Sequence, residues 1–412
     1  MPTDNTNHIT VDQLRDIVQD AHLNFLVGAG ASSRLFGMLG DVESNLTEID
    51  QSTADGQSKK RARASLYADF FDAVLVKNRN LLGEEASALG VIAEYGRFLQ
   101  TLNRVLLRRK STTINKQVNL FTTNVDLAIE VAAETLRLEL NDGFSGRFRP
   151  RFSTTNFGTV TSRRSLQYDN LSEVPTFNLL KLHGSVGWVA ERDGAGPYAP
   201  QASDIVFDSR LTSIDDIEER LTAIRSLLIE VTKDTSAASL IAEPLPKQSL
   251  APLDDFLDAY EALPIVYPRK AKFQQTVLQQ NYYDLLRVFS NELEKENSVL
   301  FVIGFSCRDE HIRELMIRAA RSNPTLQIFV MAYSPADISS IEFLFDDQQI
   351  TNGNIKVIGP RQADATETQE MYSLSVITDR FFEPLVPKPP RRPDATVDIS
   401  VALQDPLVLE HG

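Results

Sequence analysis

Short apolar runs that stop at glycine or a small polar residue recur along the chain, with helical spacing between them. Phe25-Leu26-Val27, Val118 to Phe121, Phe177 to Leu182, Leu263 to Tyr267, Val299 to Ile303, Leu326 to Ala332 and Ile355 to Ile358 read as strands. Continuous apolar strands of this kind belong to a parallel sheet covered on both faces. Ile9 to His22, Leu66 to Val76, Val91 to Leu107, Leu127 to Leu138, Ile214 to Lys233, Phe273 to Lys295 and Asp309 to Arg321 repeat apolar residues at helical intervals. In the third of these, Ile92, Tyr95, Leu99, Leu102 and Leu106 share one face. Thr10 stands where the first helix needs an N-cap, and Ser306 with Asp309 has the spacing of a capping box. The alternation predicts an α/β fold: a Rossmann-like parallel sheet with helical insertions.

The pattern also divides the chain. Residues 1–24 read as an N-terminal helix, and 25–32 with 116–332 as the α/β core. Residues 33–115 form a helical insertion within that core, polar and without a strand pattern between Gly37 and Lys60. The stretch 140–175, rich in Arg, Ser, Thr and Asn, reads as an irregular excursion. A second, variable excursion spans 190–260 with one helix. Residues 333–383 complete the core. The tail, 384–412, is proline-rich, and its Val397 to Leu403 has the pattern of a strand that adds to another chain, an assembly arm.

Composition narrows the class. The 412 residues are 42% hydrophobic, enough for a sizeable core, and no apolar run reaches the roughly 18 residues of a membrane span. The polar start of the chain lacks a signal-peptide core, so the expected location is cytoplasmic. A formal net charge of −14 argues against direct nucleic-acid binding by this chain. The basic clusters Lys59-Lys60-Arg61 with Arg63, Arg108-Arg109-Lys110 and Arg147 to Arg151 read as solvated faces. A single cysteine, Cys307, excludes a four-cysteine metal site, and no Asp/Glu cluster has metal-binding spacing, so no metal ligands are assigned.

Four strands end in unusual turns: Gly28-Ala29-Gly30-Ala31-Ser32, Thr122-Thr123-Asn124-Val125-Asp126, His183-Gly184-Ser185 and Gly304-Phe305-Ser306. Gly28 and Gly30 are expected to free the backbone and to aim their N–H groups at an anion. In a parallel α/β sheet ligands bind beyond the carboxyl ends of the strands, so turns scattered in sequence gather at one edge. Each residue also has a plainer role. Asn124 can be a turn residue, Asp126 a helix cap, His183 a satisfied strand-end histidine, Gly304 and Ser306 a turn and a cap. Trp188 and Cys307 read as packing residues.

Taken in order, these four motifs resemble the NAD-binding motifs of the sirtuin family, over roughly residues 20–320. The resemblance implies that the loop from Gly28 through Ala29, Gly30 and Ala31 to Ser32 holds the pyrophosphate, with Thr122, Asn124 and Asp126 on the ribose and nicotinamide side. His183 would be the catalytic histidine, acting with Asn124 and Asp126, and Gly304 and Ser306 would line the adenosine side. The chain departs from the protein deacylases of this family. It cannot build their four-cysteine zinc module, Leu35-Phe36-Gly37-Met38 stands near the place of a Pro-Asp-Phe-Arg stretch, and the 33–115 insertion is unlike theirs.

With those departures the chain is most similar to sirtuin-like effectors of bacterial anti-phage defence. These hydrolyse NAD as a substrate, without zinc, to nicotinamide and ADP-ribose, and so deplete the host in abortive infection. Among them it resembles the homo-oligomeric subunit that assembles with a HerA-type hexameric ATPase, which implies activity held back until assembly or a phage signal. Two other readings stand beside this one: a non-catalytic NAD or ADP-ribose sensor or scaffold, and an NAD-dependent dehydrogenase with Glu48 or Asp50 as the ribose-holding acid.

Overall fold

The computed structural model describes residues 9–37, 42–83, 85–109, 111, 113–167, 169–191, 204–266, 276–346, 350–363 and 367–386. Its centre is one sheet of seven strands: β1 (His22–Val27), β2 (Gln117–Thr122), β3 (Glu139–Asn141), β4 (Thr176–Lys181), β5 (Ser298–Ile303), β6 (Gln327–Met331) and β7 (Ile355–Ile358). They lie in the order β7-β6-β5-β1-β2-β4-β3, and every pairing is parallel. This is a mixed α/β, Rossmann-like architecture.

Alternate residues of the strands feed two cores. On one face Phe25, Leu120, Phe177 and Phe301 are buried with helix α5 (Ala86–Leu107). The Phe25 ring sits 5.3 Å from Phe98 of that helix, 5.2 Å from Phe301 and 5.5 Å from Phe382. On the other face Leu26, Phe121, Leu180 and Val302 pack beneath α10 (Thr276–Glu294) and α11 (Glu310–Ser322), where Phe121 meets Phe289 at 4.8 Å. The expected helix from Phe273 therefore starts at Thr276 as described, and residues 267–275 lie outside the described set. The first helix, α1 (Val11–Asp20), starts with Thr10 and Gln13 in a capping box.

The 33–115 segment is helical: α2 (Val42–Gln51), α3 (Gly56–Phe70), a π-helical turn Phe71–Leu75, α4 (Asn78–Leu82) and α5. Its polar first part, which shows no strand pattern, folds as α2 and the start of α3, whose N-cap is Asp55. The basic residues of α3 bind other elements rather than solvent alone. Lys60 pairs with Asp254 at 2.6 Å, Arg63 with Asp50 at 2.8 Å, and Arg61 donates to the carbonyls of Leu227 and Pro244. Arg109 is buried and donates to the carbonyls of Val18 and Ala21 at the end of α1, and burial lowers its pKa to about 10.

Four sequence expectations need correction. The excursion at 140–175 contains the edge strand β3 and the strands Phe144–Ser145 and Arg151–Phe152, which join Ile205–Phe207 and Trp188–Ala190 in a second sheet. These strands are two or three residues long and mostly polar, too short for an alternation to register. The helix expected to run from Ile214 to Lys233 is α7 (Thr212–Ile224) with a single 3₁₀ turn, Arg225–Leu227. Two further helices follow, α8 (Ala237–Ala242) and α9 (Pro252–Glu261).

Leu263 to Val266 forms an isolated antiparallel bridge from Ile265 to Gly184, not a sheet strand, since Pro264 has no N–H to enter a ladder. The cap of α11 is Asp309 itself, accepting from Ile312 N at 3.2 Å, so Ser306 is not its N-cap. Trp188 and Cys307 are buried, as packing residues should be. Most of the tail, 387–412, including Val397 to Leu403, lies outside the described residues. No described helix is long and apolar enough to cross a membrane.

Candidate active site

The strand order turns at the centre of the sheet: β1 has β2 on one side and β5 on the other. Crevices at the carboxyl ends of such strands are where α/β sheets bind ligands. Here the loops after β1, β2 and β4 are tied in series. Thr123 N donates to Val27 O, Leu182 N to Thr122 O and Val186 N to Val125 O. Between them lies a small cleft that encloses about 60 Å³ and opens to solvent. Ala29, Ser32, Asn124, Asp126 and His183 all line it. Four loops remote in sequence, including that of Ile265 and Val266, thus share one concavity.

Asn124 is the best-determined residue of the group. Its backbone N–H donates to Thr122 Oγ1 at 3.0 Å, and Thr122 Oγ1 donates in turn to Val27 O at 2.8 Å. Its Nδ2 donates to Gly28 O and to Ser32 Oγ, both at 3.2 Å. A carbonyl can only accept, so this contact fixes which way the amide faces. Asn124 Oδ1 is then left buried without a protein donor. A buried acceptor with no partner costs stability unless a water or ligand supplies a proton to it.

Asp126 Oδ1 accepts from Ala128 N at 3.0 Å at the start of α6 (Ala128–Thr135), so the capping role and the site role coexist. Burial raises its pKa, against the nearby Lys181 ammonium and the Ser32 hydroxyl, which lower it. Lys181 is itself buried, donating to the Asp126 carbonyl and pairing with Glu130 at 2.9 Å. Ser32 Oγ also shares a hydrogen bond of 2.9 Å with the Tyr95 hydroxyl from α5. Burial, and after it the Asp126 charge, push the Tyr95 hydroxyl upward, so it stays protonated.

His183 follows β4 with its side chain 18% exposed, and Nε2 stands 3.2 Å from Asp309 Oδ2. The approach is not an aligned hydrogen bond, since Nε2 has no partner in hydrogen-bonding geometry. Burial pushes the Asp309 carboxyl up, but the His183 imidazole and the Ile312 N–H outweigh it and hold the group below the ordinary range. The Tyr282 ring stands 6.4 Å from the imidazole.

The glycine loop departs from expectation. Gly28 has φ −107°, open to any residue, and Gly30 is not among the positive-φ residues. Gly28 N donates to Ile303 O and Gly30 N to Gly304 O, so neither N–H is aimed at an anion. Glycine is needed for packing instead: a Cβ on Gly28 would lie 2.5 Å from Gly304 O. Gly304 in turn has φ +64°, and a Cβ there would meet Ala31 N at 2.4 Å. Gly304 and Ser306 are not brought into the cleft; Gly304 backs the loop, and Ser306 is exposed beside it. Ala31 and Thr122 are buried supports.

Several cleft residues escaped the sequence reading. Phe70 and Val74 of the helical segment wall the cleft, together with Phe36 and Gly37. Lys181 carried a usable signal, a charge inside an otherwise apolar strand, whereas Tyr95 looked like one more apolar-face residue. Glu48 and Asp50, the acids considered for a dehydrogenase, lie on α2, and Asp50 is engaged by Arg63. Among the described residues no group of His, Cys, Asp or Glu is arranged to hold a metal ion. No protein-family model matches the chain, and no curated protein matches it significantly. Fold and cleft together define an open α/β protein with a largely apolar site, carrying a few polar groups, at the carboxyl edge of its sheet.

Proposed function

We propose that this chain is a sirtuin-like NAD⁺ glycohydrolase, cleaving NAD⁺ to nicotinamide and ADP-ribose without zinc, and that it serves anti-phage defence by depleting host NAD. The observation that carries the reading is the meeting of Asn124, Asp126 and His183 in one cleft, with a buried, partnerless Asn124 Oδ1 among them.

Breaking the bond from nicotinamide to ribose builds oxocarbenium character at the sugar carbon, as in glycoside hydrolysis. Nicotinamide leaves as a neutral ring from a cationic one, so the site needs little general acid. It needs negative charge near the ribose, an oriented water and a proton acceptor. Asp126 supplies the charge. Asn124 Oδ1 accepts from the attacking water and aims it. His183 takes the water's proton, with Asp309 setting the imidazole's position, the logic of an oriented base. The shoulder of the glycine loop, with Ala29 facing the cleft, receives the pyrophosphate, and the adenosine extends past the loop toward the exposed Ser306.

An unrestrained enzyme of this kind would kill its own cell. Activity is therefore gated by assembly into a homo-oligomer and with a HerA-type hexameric ATPase. The wall of Phe36, Phe70 and Val74 is where such a gate would act, because it belongs to the helical segment rather than to the strand ends. The test is chromatography of NAD incubated with the purified chain, alone and with a co-encoded ATPase. Nicotinamide and ADP-ribose appearing in equal amounts, faster in the complex, is the expected result. Bound but intact NAD in both settings would make the chain a sensor, and reduction of NAD would make it a dehydrogenase.

A further inference from the structure

A second cavity, of about 400 Å³, opens at the other end of the strands, under α10 and beside the 3₁₀ turn Thr154–Gly158. It lies roughly 16 Å from the cleft along β1. A row of asparagines crosses the sheet beneath it, two of them lining its floor. Asn24, Asn119 and Asn178 stand directly opposite one another on β1, β2 and β4, and Asn141 of β3 is opposite Asn178. Two residues further along, the same face carries Leu26, Phe121 and Leu180.

The amides form one directed chain. Asn141 Nδ2 donates to Asn178 Oδ1 at 3.1 Å, Asn178 Nδ2 to Asn119 Oδ1 at 2.9 Å, and Asn119 Nδ2 to Asn24 Oδ1 at 2.8 Å. Asn24 Nδ2 then donates to Ser298 Oγ, and Ser298 Oγ to Glu292 O, both at 2.8 Å. Asn24 and Asn141 use their second N–H on His22 O and Asn156 O. Asn119 and Asn178, the two that line the cavity, each have a second N–H with no partner among the described residues.

We propose that this cavity is a second small-molecule site, for a nucleoside held by its base and ribose and not by phosphate. Carboxamides of Asn and Gln present a donor and an acceptor side by side and match the edge of a nucleobase. Five line the cavity: Asn115 and Asn291, Gln117, whose Nε2 donates to Thr159 O, and Asn119 and Asn178, which offer their second N–H; Phe157 adds an aromatic face on which a base stacks. Among the described residues that line it, phosphate finds no free cation. Lys295 is paired with Glu292 at 2.7 Å, and burial, with the charge of Lys295, keeps His22 on the neutral side of its ordinary behaviour. The site is independent of the chemistry proposed for the cleft.

Equilibrium dialysis of labelled adenosine against the full chain tests it, with ADP-ribose present to fill the cleft. The expected result is saturable binding at one site, unmoved by ADP-ribose and stronger for adenosine than for AMP. Asn291→Ala, on the exposed side of α10, should weaken it roughly tenfold through a lost hydrogen bond. Asn119→Leu should abolish it, and if that variant fails to fold, Asn291→Ala carries the test alone. No saturable binding of adenosine, guanosine, cytidine or uridine, displacement by ADP-ribose, or tighter binding of AMP would each overturn the assignment.

Discussion

Asp126 sets stability against chemistry. Its carboxyl is buried beside Tyr95 and Lys181, and burial raises its pKa, so the folded chain holds the proton more tightly than the unfolded chain does. A group of this kind stabilises the fold below its unfolded pKa and loses that contribution as pH rises through the folded value. Asp126→Asn keeps the hydrogen bond from Ala128 N and removes the ionisation. The variant should melt about 3 °C higher than the parent at neutral pH. Calorimetry should show that margin shrinking toward zero in acid, while nicotinamide release is lost. An unchanged melting temperature across the pH range would contradict the buried-carboxylate account. Asp309 plays the opposite part, its carboxyl held low beside His183. Asp309→Asn should lower kcat by about 10²-fold or more with KM little changed, as for an imidazole that has lost its orienting carboxylate. A rise in KM alone would make Asp309 a binding residue instead.

At the scale of elements, the site depends on loops wedged against one another. Gly184 has φ +76°, and a Cβ there would lie 2.0 Å from Pro264 O, in the segment whose Val266 N donates back to His183 O. Gly184→Ala should therefore cost about 2–4 kcal/mol in a denaturant titration, through strain and a forced backbone shift. A loss under about 0.5 kcal/mol would mean that the bridge is not what seats His183.

Six of the seven strands of this sheet were legible because each carries a run of apolar residues, and the long helices because their stripes span several turns; β3, three residues with a polar one at each end, was not. The short polar strands near 144–152 were not, since their pairing is decided by distant Ile205–Phe207 and Trp188–Ala190. Helix α8 was missed because six residues are too few to show a helical period, and α9 although Leu253, Phe256, Leu257 and Tyr260 carry one. Asp309 was visible only as a cap; its approach to His183 is a product of tertiary packing.

Across the whole molecule, the parallel sheet converts separation in sequence into proximity. Asn124, Asp126 and His183 needed only the rule that loops after parallel strands share an edge. What no pattern could supply was the wall that Phe36 of the loop after β1 makes with Phe70 and Val74 of the helical segment, because nothing local tells a side chain which loop it will meet. The same wall joins the site to the 33–115 segment, and the proposed gating belongs there. The most direct measurement is nicotinamide release by His183→Ala and Asn124→Ala, beside the parent chain and in the presence of the ATPase, with circular dichroism to check folding. The account predicts folded variants that release nicotinamide at least about 10²-fold more slowly. Parent-like release by folded His183→Ala would contradict it.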